Sequence, residues 1–192
     1  MADQTPPSLL ERLRREPIAS DSWRRFLDLY APWLESWLSR LTQLSSGDRD
    51  EVIRSVLLLL AREADAGQHN DRPGGFRSWF RKTFVDCLRE HVRKNSVGIE
   101  GLEEQLDQLA DPLSELSRTW DHEHHTHVVS QLLERGKKRF TAYTWEAFRR
   151  TVLVGQTPTQ AGAEMKVTAL AVMQARARVL AWMRKEAEDL LG

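Results

Sequence analysis

Apolar residues along most of this chain recur at steps of three and four, the spacing that places them on one face of an α-helix. Alternation of apolar and polar residues, which marks a half-buried strand, is nowhere sustained. The pattern therefore predicts an all-α protein. A first short helix at residues 9–13 should end before Pro17, because proline cannot continue a helix.

Three longer amphipathic helices are predicted in the first half of the chain. One starts at Asp21 or Ser22 and should be kinked or broken near Ala31, because Pro32 lies inside its pattern. The second is capped by Asp48, and the third follows a loop rich in Pro and Gly at residues 66–75. Their apolar faces are Trp23, Phe26, Leu27, Tyr30, Leu34, Trp37, Leu38 and Leu41; then Val52, Ile53, Val56, Leu57, Leu59, Leu60 and Ala64; then Phe76, Trp79, Phe80, Phe84, Cys87, Leu88 and Val92.

A second helical region begins near Trp120 and runs to the basic residues 137–139. Thr141 is suited to cap the next helix, which Gly155 closes at a position that favours a left-handed residue. The region between residues 96 and 117 lacks a sustained helical pattern, so it predicts a linker.

The end of the chain predicts two helices joined by a tight turn. Thr157 followed by Pro158 is a favourable helix start, and this short helix gives way near Lys166. Thr168 can cap a long last helix with a basic outer face, so the pair predicts a helix-turn-helix. The inner face of the last helix holds Val172, Ala175, Val179, Leu180 and Met183.

The formal net charge is zero, but the charges are unevenly distributed. Residues 1–95 carry 16 basic and 14 acidic side chains, residues 96–117 carry none and six, and residues 118–192 carry 12 and eight. Two mildly basic blocks thus flank an acidic one. We predict an N-terminal helical domain at 1–95, an acidic linker at 96–117 and a C-terminal helix-turn-helix domain at 118–192. The linker either covers a basic groove or is solvated, and solvation is the commoner case.

Several classes of protein are disfavoured by composition. No run of residues approaches the roughly 18 to 20 apolar positions of a membrane span, and the N-terminus lacks the apolar core of a secretion signal. We expect a cytoplasmic protein with no membrane span. Cys87 is the single cysteine, which excludes an internal disulfide and a multi-cysteine zinc site. Neither a phosphate-cradling glycine loop nor a paired nucleophile and base is evident, so we expect neither an enzyme nor a cofactor.

Four histidines in the stretch WDHEHHTH raise the question of a metal site. On a helix, only residues three or four apart share a face, which pairs His124 with His127 or His122 with His125, and Glu123 could join His127. Two ligands do not close a site. The default interpretation is a set of surface histidines.

Four stretches of sequence together resemble a known family. They are DRDEVIRSVLLLLAR, FRSWFRKTFVDCLREHVRK, FTAYTWEAFRRTVLVG and TPTQAGAEMKVTALAVMQARARVLAWMRK. The first two are similar to the N-terminal helices of bacterial RNA polymerase sigma factors of the extracytoplasmic-function (ECF) group, including the FRxWL-type basic aromatic helix. The last two resemble the DNA-binding helix-turn-helix of the same proteins. The resemblance spans about residues 9 to 190 in the family's order and is closest to versions from planctomycete-like bacteria.

This resemblance implies a sigma factor that directs RNA polymerase core to promoter DNA, with an anti-sigma factor as a further partner. The N-terminal domain would open the promoter and hold one strand, whereas the C-terminal domain would bind the upstream element as duplex. The alternative is a sigma-like helix-turn-helix regulator or adaptor that no longer supports promoter melting.

The resemblance also implies three sets of site residues. Those expected to contact the upstream duplex are Lys166, Thr168, Ala169, Leu170, Met173, Gln174, Arg176 and Arg178. Those expected to hold the opened strand, through cations for phosphates and a flat ring for bases, are Arg77, Trp79, Arg81, Lys82, Arg89, Arg93 and Lys94. Those expected to contact polymerase core are Asp48, Asp50, Glu51, Arg54 and Ser55. For the ring of Trp79, a place in the core is the competing interpretation.

The chain departs from the family's pattern at three places. Arg54 and Ser55 stand where a glutamine and an acid are typical, and a positive charge would weaken contact with a basic partner. Val85 and Asp86 replace an Arg-Asn pair, and an aspartate repels phosphate. Lys166 replaces the turn glycine, so it must adopt a strained conformation if its φ is positive.

Overall fold

A computed structural model describes residues 20–65, 75–95 and 99–191. These residues form helices and no strand, which confirms the predicted all-α class. The helices are α1 (Asp21–Leu41), α2 (Ser46–Asp65), α3 (Gly75–Asn95), α4 (Leu102–Ala110), α5 (Glu115–Arg139), α6 (Ala142–Phe148), α7 (Pro158–Met165) and α8 (Ala169–Leu191). A turn of π-helix, Arg149–Leu153, continues α6. The short helix predicted at residues 9–13 and most of the loop predicted at 66–75 lie outside the described residues.

The chain divides into two compact units, and the division falls between His127 and Val128, inside α5. The second unit is Val128–Glu188. The division is therefore ten residues beyond the start predicted for the C-terminal domain, and it coincides with no end of a helix. The functional domain boundaries stay a prediction.

The segment predicted as a linker contains a helix, α4. Its leucines Leu102, Leu106 and Leu109 are all buried. They lie at steps of four and three, so even a short acidic stretch has an apolar face to bury. Helix α4 packs along α3. The acidic segment is thus part of the first unit's packed structure.

The starts of α1 and α2 differ slightly from the prediction. The hydroxyl of Ser20, rather than Asp21 or Ser22, caps α1 by accepting the backbone N–H of Trp23 at 3.3 Å. The α1 helix continues through Pro32, which is exposed, so of the predicted kink or break near Ala31 the break does not occur and the kink stays a prediction. At α2, Ser45 is the cap: its Oγ accepts the backbone N–H of Asp48 and donates to the carboxylate of the same residue. Asp48 lies in the first turn, where a negative charge favours the helix dipole.

The core of the first unit is built from aromatic rings on α1, α3 and α5. The ring of Trp120 on α5 lies 4.3 Å from that of Trp33, 4.8 Å from that of Trp37 and 4.9 Å from that of Phe84, measured between centroids. Each such pair contributes about 0.5–1.5 kcal/mol beyond the burial of its area. Most of the predicted apolar positions of α1 and α3 are buried here, including Trp23, Phe26, Tyr30, Leu34, Trp37, Leu38, Phe76, Phe80, Phe84, Cys87 and Leu88.

His124 is a buried member of this core rather than a surface histidine. Its Nε2 lies 3.2 Å from the hydroxyl oxygen of Tyr30, and the two rings are stacked. Burial, with smaller contributions from the charges of Arg77, His127 and His125, lowers the pKa of His124 to about 3. The imidazole is therefore neutral in the folded protein near neutral pH.

The second unit begins its helices where the sequence predicts. Thr141 accepts the backbone N–H of Thr144 at the start of α6. Thr157 and Gln160 form a reciprocal pair of side-chain hydrogen bonds at the start of α7, the arrangement called a capping box. Gly155, between them, has a φ of +80°. These caps confirm the predicted boundaries.

The turn between α7 and α8 is held by a close approach of two backbones. Lys166 has a φ of +57°, the left-handed conformation expected at this position and costly for a residue with a Cβ. The N–H of Val167 donates to the carbonyl of Gly162 at 2.9 Å. A Cβ on Gly162 would lie 2.9 Å from the carbonyl oxygen of Val167, so only glycine fits. Beneath the turn, Ala147, Ala161, Val172 and Ala175 form a small buried core.

Replacing Gly162 with alanine should therefore destabilise the second unit. We expect G162A to lower the free energy of unfolding by about 1–3 kcal/mol, because the obstacle is backbone and cannot rotate away. The control is G47A, where the new Cβ meets only the hydroxyl of Ser45 at 3.8 Å and the change should stay within about 0.5 kcal/mol. Urea unfolding followed by circular dichroism measures both. Equal stability of G162A and wild type would contradict this account of the turn.

The burial of His124 predicts acid sensitivity. The pKa of His124 is depressed in the folded state, so the unfolded chain binds a proton first as the pH falls. The stability that neutral His124 confers should be fully present above pH 6.5. It should decrease as the pH falls from there toward 3, by up to about 1.4 kcal/mol per pH unit. Urea unfolding at about pH 7 and about pH 5 should show a smaller decrease for H124Q than for wild type. H125Q, which changes an exposed histidine, should lose as much stability between these two pH values as wild type. If H125Q instead showed the smaller decrease expected of H124Q, the acid sensitivity could not be assigned to His124.

Candidate nucleic-acid interface

The outer face of α8 and the turn before it hold the residues predicted to contact duplex DNA. Val172, Ala175 and Val179 fill the core side of the helix. The eight predicted residues all reach the surface: Lys166, Thr168, Leu170, Met173, Gln174 and Arg178 are exposed, whereas Ala169 and Arg176 are half-buried. Thr168 also caps α8, as predicted, since its Oγ1 accepts the backbone N–H of Ala171 at 3.2 Å.

The cations in the turn and in α8 form no ion pair with the side chains that the structure describes. Between Glu164 and Glu186 the sequence has no acidic residue. The cations in that stretch are Lys166, Arg176, Arg178, Arg184 and Lys185, and none of them forms an ion pair with a residue that the structure describes. This end of the second unit therefore presents a positive surface to solvent.

The two arginines that follow α6 have a different role. Both guanidinium groups of Arg149 and Arg150 donate to the carboxylate of Glu146, at 2.6–2.7 Å. Arg150 also pairs with Glu164 on α7. The hydrogen bonds from Arg149 and then Arg150 hold the pKa of Glu146 at about 2. Arg150 thus links α7 to the end of α6, and both arginines are paired with carboxylates.

Arg81, predicted to hold an opened DNA strand, is buried on α3. Its side chain is 5% exposed, and its Nη1 donates to Asp121 of α5 at 2.8 Å. A buried guanidinium with a carboxylate partner is a link between helices. The expectation that Arg81 lies on the outer face of α3 is therefore wrong, because the sequence pattern does not reveal a carboxylate supplied from forty residues away.

Two further cations on α3 are paired with carboxylates at the surface. Lys82 pairs with Asp86, four residues on, at 2.9 Å. Arg89 is paired with both Glu103 and Asp107 of α4. The acidic segment thus covers part of the basic helix, as one of the two sequence interpretations held, and partly neutralises it.

The remaining residues predicted to hold a DNA strand lie nearer the surface. Arg77 is half-buried, and Arg93 and Lys94 are exposed. None of these three forms an ion pair with a described residue. Trp79 is half-buried and meets Phe76 edge to face, with 5.8 Å between ring centroids. It therefore belongs neither wholly to the core nor wholly to solvent, while Phe80 and Phe84 are core residues.

The residues predicted to contact polymerase core form a surface on α2. Asp50, Glu51, Arg54 and Ser55 are exposed, and Leu58, one turn further on, is an exposed apolar residue. Asp48 is half-buried and engaged within the unit. The hydrogen bond from Ser45, with the nearby charge of His91, lowers the pKa of Asp48. The outer surface of α2 is thus a mixed but mainly acidic stripe.

The histidine stretch is divided between the core and the surface. His127 donates through Nε2 to the carbonyl of Leu29 at 2.7 Å, and Glu123 forms a two-pronged ion pair with Arg40. His122 and His125 are exposed. Among the described residues, no three His, Cys, Asp or Glu side chains come close enough together to hold a metal ion.

Some residues that shape this surface were not predicted from sequence. Glu103 and Asp107 neutralise Arg89, and the signal for them was the six acidic residues without a base in residues 96–117. Arg184 lines a shallow groove on α8 together with Pro158 and Met173. The run of residues 165–185, which contains no acid, was the available signal for it. Separately, no helix in the described part of the chain is long and apolar enough to cross a membrane.

Comparisons of this chain with protein-family models, with curated proteins and with solved structures gave no match.

The ion pair between buried Arg81 and partly exposed Asp121 should matter for stability. Replacing Asp121 with asparagine leaves a buried guanidinium without its carboxylate, and we expect D121N to lower the free energy of unfolding by about 1–3 kcal/mol. D86N removes the partner of Lys82 at the surface and should cost less than about 1 kcal/mol. Urea unfolding of the two variants provides the comparison. Equal losses of unfolding free energy in D121N and D86N would contradict the expectation that the burial of Arg81 makes its ion pair the more important one.

Proposed function

We propose that this chain is a transcription initiation factor of the sigma type, which binds RNA polymerase core through α2 and promoter duplex through α8. The observation that carries the proposal is the helix-turn-helix of the second unit, whose exposed α8 surface bears cations that form no ion pair with a described residue. As a partner of RNA polymerase, the protein would act in the cytoplasm. It would have no catalytic site of its own, and an anti-sigma factor could bind the same surfaces.

Electrostatics favour a nucleic acid as the ligand of α8. Each lysine or arginine that neutralises a phosphate releases condensed counterions, which is the main source of affinity in nonspecific DNA binding. A cation already paired with a carboxylate contributes little to the affinity gained from counterion release. Lys166, Arg176 and Arg178 are available, whereas Arg149 and Arg150 are held by glutamates. The helix-turn-helix thus has cations on the surface that would contact a duplex.

The surface of α2 supports binding to a basic partner. Asp50 and Glu51 are exposed next to each other, and Leu58 supplies an apolar contact on the same face. Acidic groups facing a basic patch accelerate association and orient the complex. Arg54 lies within the stripe and opposes this attraction. The proposal therefore implies a weaker contact with core than an uncharged residue at this position would allow.

A second candidate is a duplex-binding regulator that does not open DNA. It is favoured by the ion pairs on α3, since Arg81, Lys82 and Arg89 are all held by carboxylates. A single strand is held by free cations and stacking rings. On this surface Arg77, Arg93 and Lys94 form no ion pair with a described residue, and the ring of Trp79 is partly buried.

One experiment tests the two surfaces with the purified full chain. A labelled duplex of randomised sequence, about 30 base pairs long, is titrated at several salt concentrations. The double variant K166A/R178A should bind more weakly, and the slope of log affinity against log salt should decrease by about two. The control R25A/R118A, which removes two exposed cations of α1 and α5, should leave this slope unchanged.

The same preparation is mixed with polymerase core. D50K/E51K should reduce association with core and R54Q should strengthen it, while E134K, an exposed change on α5, should do neither. Permanganate footprinting of promoters selected from a random library reports strand opening by the reconstituted enzyme. Binding of duplex without core association or opening would favour the regulator. Failure to bind either duplex or core would exclude both candidates.

A further inference from the structure

The outer stripe of α8 is apolar where it begins. Leu170 is 62% exposed and Met173 is 52% exposed. Ala177 follows on the same face, since steps of three and four keep residues aligned. Gln174 is the one amide on this part of the stripe. The core side of the helix is already filled by Val172, Ala175 and Val179, so these exposed residues have no place in the unit's own packing.

An exposed pair of large apolar side chains on adjacent turns indicates a contact surface. Isolated apolar residues at a surface are ordinary, but adjacent ones mark places where something binds. The occupant of this surface must be anionic, because the stretch between Glu164 and Glu186 has five cations and no acid. Charge complementarity and the helix-turn-helix geometry together favour duplex DNA over a protein.

The chemistry of the stripe matches one base pair in particular. In the major groove, thymine presents its C5-methyl group, which is recognised by apolar contact, and adenine presents a donor and an acceptor that a glutamine amide pairs with. Guanine is best read by an arginine or lysine and cytosine by a carboxylate. Leu170, Met173 and Gln174 thus suit A·T pairs, and the cations lie to either side of them along the chain.

We propose that α8 selects A·T pairs, with Leu170 and Met173 in contact with thymine methyl groups and Gln174 bonded to adenine. This proposal rests on duplex binding by α8, and it adds the class of site that α8 reads. The phosphate contacts of Lys166, Arg176 and Arg178 supply affinity without regard to sequence. Leu170 and Met173 are the specificity-determining side chains.

The decisive probe is DNA that lacks only the methyl group. Two randomised duplex libraries of about 20 base pairs are prepared from the same templates, one with thymine and one with uracil in its place. Uracil keeps every hydrogen-bonding group of thymine. The purified full chain should prefer the thymine library by about fourfold for each methyl contact and about fifteenfold for two. Sequences enriched from the thymine library should be rich in A·T pairs.

Variants of the exposed side chains link this preference to the stripe. L170A/M173A should reduce the preference for thymine to about twofold or less while still binding the uracil library, because the phosphate contacts remain. The control is L153A, which shortens an equally exposed leucine outside α8 and should retain the wild-type preference. All three positions are at the surface, so circular dichroism should show each variant folded.

The outcomes separate this inference from the proposed function. Equal binding of wild type to both libraries would overturn methyl recognition and leave duplex binding standing. A thymine preference that persists in L170A/M173A would come from DNA shape, and it would overturn the role of these residues. Self-association in sedimentation that L170A/M173A abolishes would show a second copy of the chain as the occupant and would overturn the proposal. Binding to neither library would overturn the proposed function itself.

Discussion

The contact between the backbone of α7 and the turn that follows it is the constraint on which the second unit depends. Gly162 lies against the carbonyl of Val167, where a side chain has no room. That approach lets the chain reverse within three residues and seats Val172 and Ala175 on the small core. Lys166 accepts a left-handed conformation to complete the turn. The orientation of α8, and with it every contact proposed for its outer face, follows from this packing.

The placement of carboxylates then decides which cations can act on a ligand. On α3, Arg81 pairs with an acid of α5 and Arg89 pairs with two acids of α4. Part of the positive charge that the sequence places on this helix is therefore neutralised within the unit. Between Glu164 and Glu186 the sequence has no acid, and Lys166, Arg176 and Arg178 form no ion pair with a described residue. The net charge of zero therefore conceals two basic helices with different electrostatics.

The first unit's core shows how packing outweighs unsatisfied polar groups. The indole nitrogens of Trp33, Trp37 and Trp120 and Nδ1 of His124 are buried with no hydrogen-bond partner among the described residues. Each such group costs about 1–3 kcal/mol. A buried tryptophan removes about 150–250 Å² from water, which stabilises by roughly 4–6 kcal/mol. Burial prevails for the tryptophans, and the cost at His124 is reduced because the ring stays neutral.

The sequence by itself determined most of the helical architecture. Caps at Thr141, Thr157 and Thr168 and the left-handed Gly155 act through hydrogen bonds and torsion angles within a few residues, so local chemistry is sufficient to place them. Only the tertiary structure decided that Arg81 and His124 are buried and that α4 covers Arg89. Their partners lie between 14 and 94 residues away, and no local pattern specifies such distances. Which cations and histidines remain at the surface is thus a property of the assembled chain.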